Sequence, residues 1–302
     1  MKRNVIVRLL AALLTVTLLA FAFVSCDEDT DEDADGEQAN TEQANTELKI
    51  MTFNVLNGWN TSNIGTRDDE TAAKILELMP DVIGLQEFDD YYRNATGTPL
   101  PALICAQYAE AGAETQSWNP IFYNTSTVEL VQCGHQDYTL GTSYDTYNYK
   151  GQVGSKFRTI AWALLKQKGT GKQFLVLNTH LDVEAEMQPS QVSELKNKVS
   201  ELKKSLGTET VFLIGDLNSH INSTTAKNLF QFGFKDTHAL AQTKDDLTSS
   251  GTKGIAVTGA YRWAIDHVYW MGEQITVSNY MTVTDIRGTS DHCPIVVTLK
   301  LG

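Results

Sequence analysis

Hydrophobic and polar positions divide the chain into three stretches of different character. Residues 9–24 form an uncharged, mainly apolar run of 16 residues behind Lys2, Arg3 and Arg8. Residues 27–47 have no apolar period. From Leu48 onward, short apolar runs alternate with amphipathic stretches, the pattern of a mixed α/β domain. The spacing predicts strands at 48–55, 82–85, 119–123, 128–133, 159–166, 174–178, 211–214, 264–270 and 295–299. A helix is predicted over 68–79, where Ala72, Ile75, Leu76 and Met79 share one face and Pro80 stops it. A second helix is predicted over 190–206, with Val192, Leu195, Val199, Leu202 and Leu206 in one stripe and Gly207 as its C-cap. Two heptads are too few for a coiled coil, so that stripe is expected to face a core.

Composition narrows the class. With 302 residues, 42% hydrophobic and 20% charged, the chain is not wholly disordered. No repeat of solenoid or propeller length occurs, and no CxxC pair marks a zinc ribbon or redox site. The net charge of −13 is unevenly spread: residues 27–47 hold ten acids and no base, and the part beyond them carries a net of −6. No Lys/Arg block gives a strong nucleic-acid footprint. A mildly acidic domain still admits a nucleic-acid substrate, because bound divalent cations offset charge at a site.

Apolar strands end abruptly in polar, metal-capable residues: Asn54; Gln86-Glu87; Asn178-Thr179-His180; Asp216 and Asn218; Asp266-His267; and Ser290-Asp291-His292. Strand ends gathered at one rim of a sheet place such groups around one cleft. Solubility explains one such end, not six.

The ordered set TFNV (52–55), LQE (85–87), NTHLD (178–182), GDLN (215–218), IDHV (265–268) and SDHCP (290–294) resembles the endonuclease/exonuclease/phosphatase superfamily. The resemblance implies a four-layer α/β sandwich, two mainly antiparallel sheets flanked by helices, over residues 48–302. It also implies a hydrolase of phosphate esters that uses a metal-activated water with an Asp/His site. Mg²⁺, with Mn²⁺ as the alternative, suits oxygen ligands of the kind offered by Glu87, Asn54 and Asp291. Carried over by motif, Asp216 orients or deprotonates the attacking water, and Asn218 and His180 bind the phosphate. His292 lies against the phosphoryl group with Asp266 fixing its tautomer, and Arg158 is a further phosphate clamp. Whether Asp216 or His292 is the base stays open. The substrate is expected among sugar or inositol phosphates, nucleic acid or phospholipid. Phe88-Asp89-Asp90 after LQE departs from the abasic-site endonuclease pattern. A catalytically silent binding protein on the same fold is the non-enzyme alternative.

The apolar run is short for a spanning helix, which needs about 20 residues, and suits a signal peptide. Its end, Val24-Ser25-Cys26, resembles a bacterial lipobox, implying a signal peptide over 1–25 and lipidation of Cys26, hence membrane anchorage at the cell envelope. An uncleaved anchor or plain secretion is the alternative. Residues 26–47 then form a solvated acidic tether.

Other residues receive blander readings. His135, His220 and His238 are expected at the surface or in turns, Asp89 and Asp90 in a solvated turn, and His267 facing away from Asp266. Asp182 is left between site and loop. The stretch 144–156, with Tyr144, Tyr147, Tyr149, Lys150 and Lys156, is either a stacking surface or a hairpin rim. A Cys105–Cys133 bond is conceivable, and Cys293 is expected to be a buried thiol.

Overall fold

Most central strands of this domain are buried on both faces, so they read as nearly continuous apolar runs. The computed structural model describes residues 46–58, 64–94, 98–115, 117–140, 158–248, 259–285 and 289–302. Cys26, the apolar leader, nearly all of the tether and the stretch 144–156 lie outside the described residues.

The first sheet has the order β10 (Thr243–Lys244), β12 (Ile275–Thr282), β13 (Ile295–Leu301), β1 (Glu47–Asn54), β2 (Val82–Gln86), β4 (Ile121–Asn124), β3 (Tyr108–Ala111). The second runs β5 (Val128–Asp137), β6 (Thr159–Gln167), β7 (Gln173–His180), β8 (Val211–Asp216), β11 (Asp266–Met271), β9 (Lys235–Asp236). Neighbours are antiparallel except β1/β2, β7/β8 and β10/β12.

Strand periodicity splits the core into layers. In β1, Ile50 faces the second sheet with Val82, Val176, Phe212, Ile214 and Val297. Its neighbours Met51 and Phe53 face the opposite way, onto Ala72 and Ile75 of α1 (Ile64–Leu78). On the outer face of the second sheet, Leu175, Leu177 and Leu213 meet Val192, Leu195, Val199 and Leu202. Those four, with Leu206 packed alongside, are the predicted stripe of a helix spanning Gln188–Leu206. The result is the expected order of helix, sheet, sheet, helix. Gly84 lets the sheets close at the site end: a Cβ there would sit 2.5 Å from Ile214 Cδ1 and 2.7 Å from Asn178 Cγ.

The smaller helices are α2 (Asp90–Arg93), α3 (Leu100–Ile104), α5 (Thr224–Phe232) and α6 (Thr237–Leu240), with the Gln188–Leu206 helix as α4. Helix α4 starts earlier than predicted because Pro189 is favourable in a first turn. Gly207 ends it at φ 66°, donating to the Lys203 carbonyl. Several of the described elements escape the sequence pattern, among them strands β12 and β3 and helix α5. Strand β12 has a register shift between Val277 and Asn279 that breaks its alternation. Strand β3 has four residues and α5 nine, too short to show a period. Cys105 is exposed and Cys133 half-buried, both free thiols, so the conceivable bond between them is absent; Cys293 is buried as expected.

Candidate active site

Topology gathers the polar strand ends. Strands β1 and β2 run parallel and end together at the Asn54–Gln86 pair. Antiparallel β13 begins beside them, with Ile295 opposite Thr52. In the other sheet β7 and β8 end together at His180–Asp216, and antiparallel β11 begins at Asp266 opposite that same Asp216. Ends and beginnings therefore meet along one edge of both sheets.

Asn54 joins the two halves. Its Nδ2 donates to Glu87 Oε1 and to Asp216 Oδ2, each at 3.1 Å, while its Oδ1 accepts from Leu56 N–H at 3.0 Å. The other Glu87 oxygen accepts from the backbone N–H of Asn57 at 2.9 Å and its Nδ2 at 2.5 Å. Glu87, Leu56 and Asn218 hold positive φ of 59°, 59° and 45° without being glycine. Such strain concentrates where surrounding contacts over-determine the backbone, as at functional sites. Gly215, at φ 141°, precedes Asp216; a Cβ there would lie 1.9 Å from the Thr179 carbonyl oxygen.

Titratable groups form the other half. His292 Nδ1 lies 2.8 Å from Asp266 Oδ2, and its Nε2 lies 3.8 Å from Asp216 Oδ2 and 4.0 Å from Asp291 Oδ1. Burial alone would lower the His292 pKa, but the Asp266 charge and hydrogen bond, followed by Asp216 and Asp291, outweigh it and raise it to about 10. Burial, then the Asp266 charge, pushes Asp216 up to about 7 against the opposing pull of His292. Burial, then the charges of Arg158 and His292, holds His180 well below its ordinary value. Asn218 Nδ2 donates to the Leu181 carbonyl at 2.9 Å and lies 3.0 Å from His180 Nε2, which in turn is 3.4 Å from Asp216 Oδ2.

Two histidines thus sit in opposite protonation states at one site. In an NMR titration of the metal-free protein, His292 is expected to remain imidazolium through neutral pH and to lose its proton only as pH rises toward about 10. His180, held well below its ordinary value by burial, should be neutral at neutral pH. Asp266→Asn should bring the His292 transition down toward the ordinary range; an unchanged transition would contradict the pairing.

Arg67 of α1, buried at 4% exposure, braces the loops around this centre. Its Nε donates to the Thr289 carbonyl at 2.5 Å, and its Nη2 to the carbonyls of Val55 and Leu56 and to Tyr92 Oη. Tyr92 Oη donates in turn to the Val55 carbonyl at 2.6 Å. Ser290 Oγ donates to the Asn54 carbonyl at 2.6 Å and accepts from His292 N–H at 3.0 Å. Arg67→Met leaves buried carbonyls short of donors and should cost roughly 2–4 kcal/mol in urea denaturation.

The predicted residues separate into two groups by their contacts. Asn54, Glu87, His180, Asp216, Asn218, Asp266 and His292 form a connected set, with the Asp291 side chain 47% exposed beside His292. Arg158 is close enough to act on His180 electrostatically. Gln86 and Asn178 are taken up between the sheets instead; Asn178 shares a strand face with His180 but sits two residues further from the edge. Gln86 Nε2 donates to Asn178 Oδ1 at 2.7 Å, and Asn178 Nδ2 to the Leu85 and Pro120 carbonyls, which ties the sheets together. His267 faces away from Asp266, with Nε2 2.9 Å from the Ser219 carbonyl oxygen. Asp182 is a buried loop residue accepting from Glu184 N–H. Asp89 corrects the solvated-turn reading: it is buried, caps α2 and accepts from Gly58 N–H at 2.8 Å. His135, His220 and His238 are partly exposed. Sequence reasoning passed over Asn57 and Arg67; the position of Asn57, three residues after Asn54, is the only signal for either.

Asp216, Asp266 and His292 each offer a ligand atom, all within 4.8 Å of one another, a spacing that could hold a metal ion. Asp266 Oδ2 already faces His292 Nδ1, and a protonated imidazole is not a ligand. Glu87 with Asn54 is the harder, all-oxygen alternative and fits Mg²⁺ or Mn²⁺ by donor type.

Residues 51–292 match the Endonuclease/Exonuclease/phosphatase family. Among solved structures, an endonuclease/exonuclease/phosphatase family protein from Bacteroides thetaiotaomicron is similar at TM-score 0.67 and 20% identity, covering 85% of this chain and 98% of the other. A B. thetaiotaomicron mannosyl-6-phosphatase aligns at TM-score 0.65 and 21% identity over 83% and 99%. D. rerio TDP2, complexed with a single-strand DNA product, aligns at 0.60 and 17% over 84% and 99%. No curated protein matches the chain in sequence.

Proposed function

The chain belongs to the endonuclease/exonuclease/phosphatase family, and from that premise we propose that it is a divalent-metal-dependent hydrolase of phosphate esters, exported and lipid-anchored at the cell envelope through Cys26. One observation carries the catalytic reading. A single amide, Asn54 Nδ2, reaches Glu87 on one side and Asp216 on the other at 3.1 Å each. A cation-binding carboxylate and a water-orienting carboxylate are thus one side chain apart.

A Mg²⁺ or Mn²⁺ ion held by Glu87, with Asn54 orienting that carboxylate and Asp291 alongside, would neutralise charge on the phosphoryl oxygens. The protein's own groups do the rest. Asp216, once ionised, accepts a hydrogen bond from water and aims it at phosphorus. His292, kept protonated by Asp266, lies against the phosphoryl group and stabilises its developing charge. Asn218, His180 and Arg158 hold the remaining phosphate oxygens. Asp216 is the better base of the two, because His292 already carries its proton at neutral pH. The export reading rests on the leader and on Val24-Ser25-Cys26 alone. The similarity to a mannosyl-6-phosphatase supports a phosphate monoester as substrate.

The test is an assay of EDTA-treated protein on p-nitrophenyl phosphate, bis(p-nitrophenyl) phosphate and supercoiled plasmid, with and without added Mg²⁺ or Mn²⁺. Metal-restored hydrolysis of an ester is expected. No hydrolysis under any metal would sink the reading, and plasmid nicking in preference to the small esters would make the protein a nuclease.

A further inference from the structure

Two buried amides stand at the start of α4, where the rest of its inner face is apolar. Gln188 is 3% exposed and Gln191 fully buried, while Val192, Leu195, Val199 and Leu202 fill the face further along. A buried amide is costly unless each of its polar groups is paired. Gln188 meets that demand four times over. Its Nε2 donates to the Asp182 carbonyl at 2.7 Å and to the Asn218 carbonyl at 3.1 Å. Its Oε1 accepts from Ser219 Oγ at 2.5 Å and from Thr225 Oγ1 at 2.6 Å. Carbonyls can only accept, so the amide has a single orientation. One turn on, Gln191 Oε1 accepts from Asp182 N–H at 2.8 Å, and its Nε2 donates to the Leu140 carbonyl at 3.0 Å.

The loops held in this way follow β7 and β8, the strands that deliver His180 and Asp216. Asn218 keeps a positive φ of 45°, which a residue other than glycine holds only where its surroundings impose it. Its N–H donates to Asp216 Oδ1 and its side chain to the Leu181 carbonyl, each at 2.9 Å. The bond from Gln188 to the Asn218 carbonyl fixes the remaining side of that residue. A fully satisfied buried network of this kind specifies one arrangement of the groups it joins.

We propose that Gln188 is a positioning residue: through the Asp182 and Asn218 carbonyls it sets both loops so that His180 and Asn218 stand ready for phosphate oxygens. The inference deepens the hydrolase reading and rests on it for what these loops bind. The test compares the metal-loaded parent with two variants. Gln188→Met keeps the length of the side chain and removes all four bonds, whereas Val199→Ala loosens the same helix from within the core. On p-nitrophenyl phosphate, Gln188→Met should raise KM about tenfold with kcat little changed, the mark of lost uniform binding. Val199→Ala should melt lower than the parent and keep both constants. An unchanged KM in Gln188→Met, or an equal rise in Val199→Ala, overturns the assignment. Should Gln188→Met fail to fold, Ser219→Ala takes its place: a rise in KM of about threefold supports the role, and none overturns it. If the parent hydrolyses no ester, the hydrolase reading is what fails. The positioning role is then judged by NMR on the metal-free protein. Splitting or broadening of the Asn218 side-chain amide and His180 ring signals in Gln188→Met alone supports it; unchanged signals, or the same change in Val199→Ala, overturn it.

Discussion

Asp216→Asn is expected to lower kcat by about 10²- to 10⁴-fold, the range for removing a positioned acid–base group, without unfolding the protein. The substitution keeps the shape of the side chain. An amide oxygen can still accept from Asn218 N–H, as Oδ1 does at 2.9 Å. What disappears is the carboxylate that faces Asn54, His180 and His292. The stability expectation has the opposite sign. Asp216 is 1% exposed and its pKa is raised to about 7, chiefly by burial and then by Asp266. A carboxyl with a raised folded-state pKa contributes stability that is complete below its unfolded value near 4 and is lost as pH rises through about 7. Replacing it by a neutral amide removes that loss, so at pH 8 the variant should melt no lower than the parent. Steady-state kinetics and calorimetry on one preparation check both halves. Unchanged kcat would remove Asp216 from the chemistry; a large fall in melting temperature would make it structural.

Gly215→Ala should be, with Gly272→Ala, among the most damaging single methyls in the described fold. Its Cβ would fall 1.9 Å from the Thr179 carbonyl oxygen, a backbone atom that cannot step aside, and φ 141° is strained for any L side chain. A cost on the order of 4 kcal/mol or more follows, which is exceptional for a point change. Little soluble protein is expected. Gly171→Ala is the matched control: φ is +73° but nothing lies within 4 Å of the new methyl. It should cost about 1 kcal/mol, the left-handed backbone penalty alone. Comparable chemical denaturation curves for the two variants would refute the steric account.

How early each feature was legible depends on the range of the interaction behind it. Long strands and both long helices declared themselves, because apolar period is a local property written in consecutive residues. Strand β12 did not, since its bulge between Val277 and Asn279 shifts the alternation midway. The roster of site residues was legible from strands that end in Asn54, His180 and Asp216, yet the same rule admitted Gln86 and Asn178. Those two lock the sheets together, and only their tertiary contacts separate them from Glu87 and His180.

By itself, the sequence determined the class of fold and the acids, amides and imidazoles available for chemistry, since these follow from residue type and local spacing. The tertiary structure decided how they are used. Asn54 and Asp216 are 162 positions apart and hydrogen-bonded. His292 is raised and His180 lowered because one has Asp266 at 2.8 Å while the other is buried near Arg158. Arg67 became a brace only when α1 brought it under two distant loops. Protonation state and loop geometry are sums over neighbours in space, and a one-dimensional pattern does not contain those neighbours.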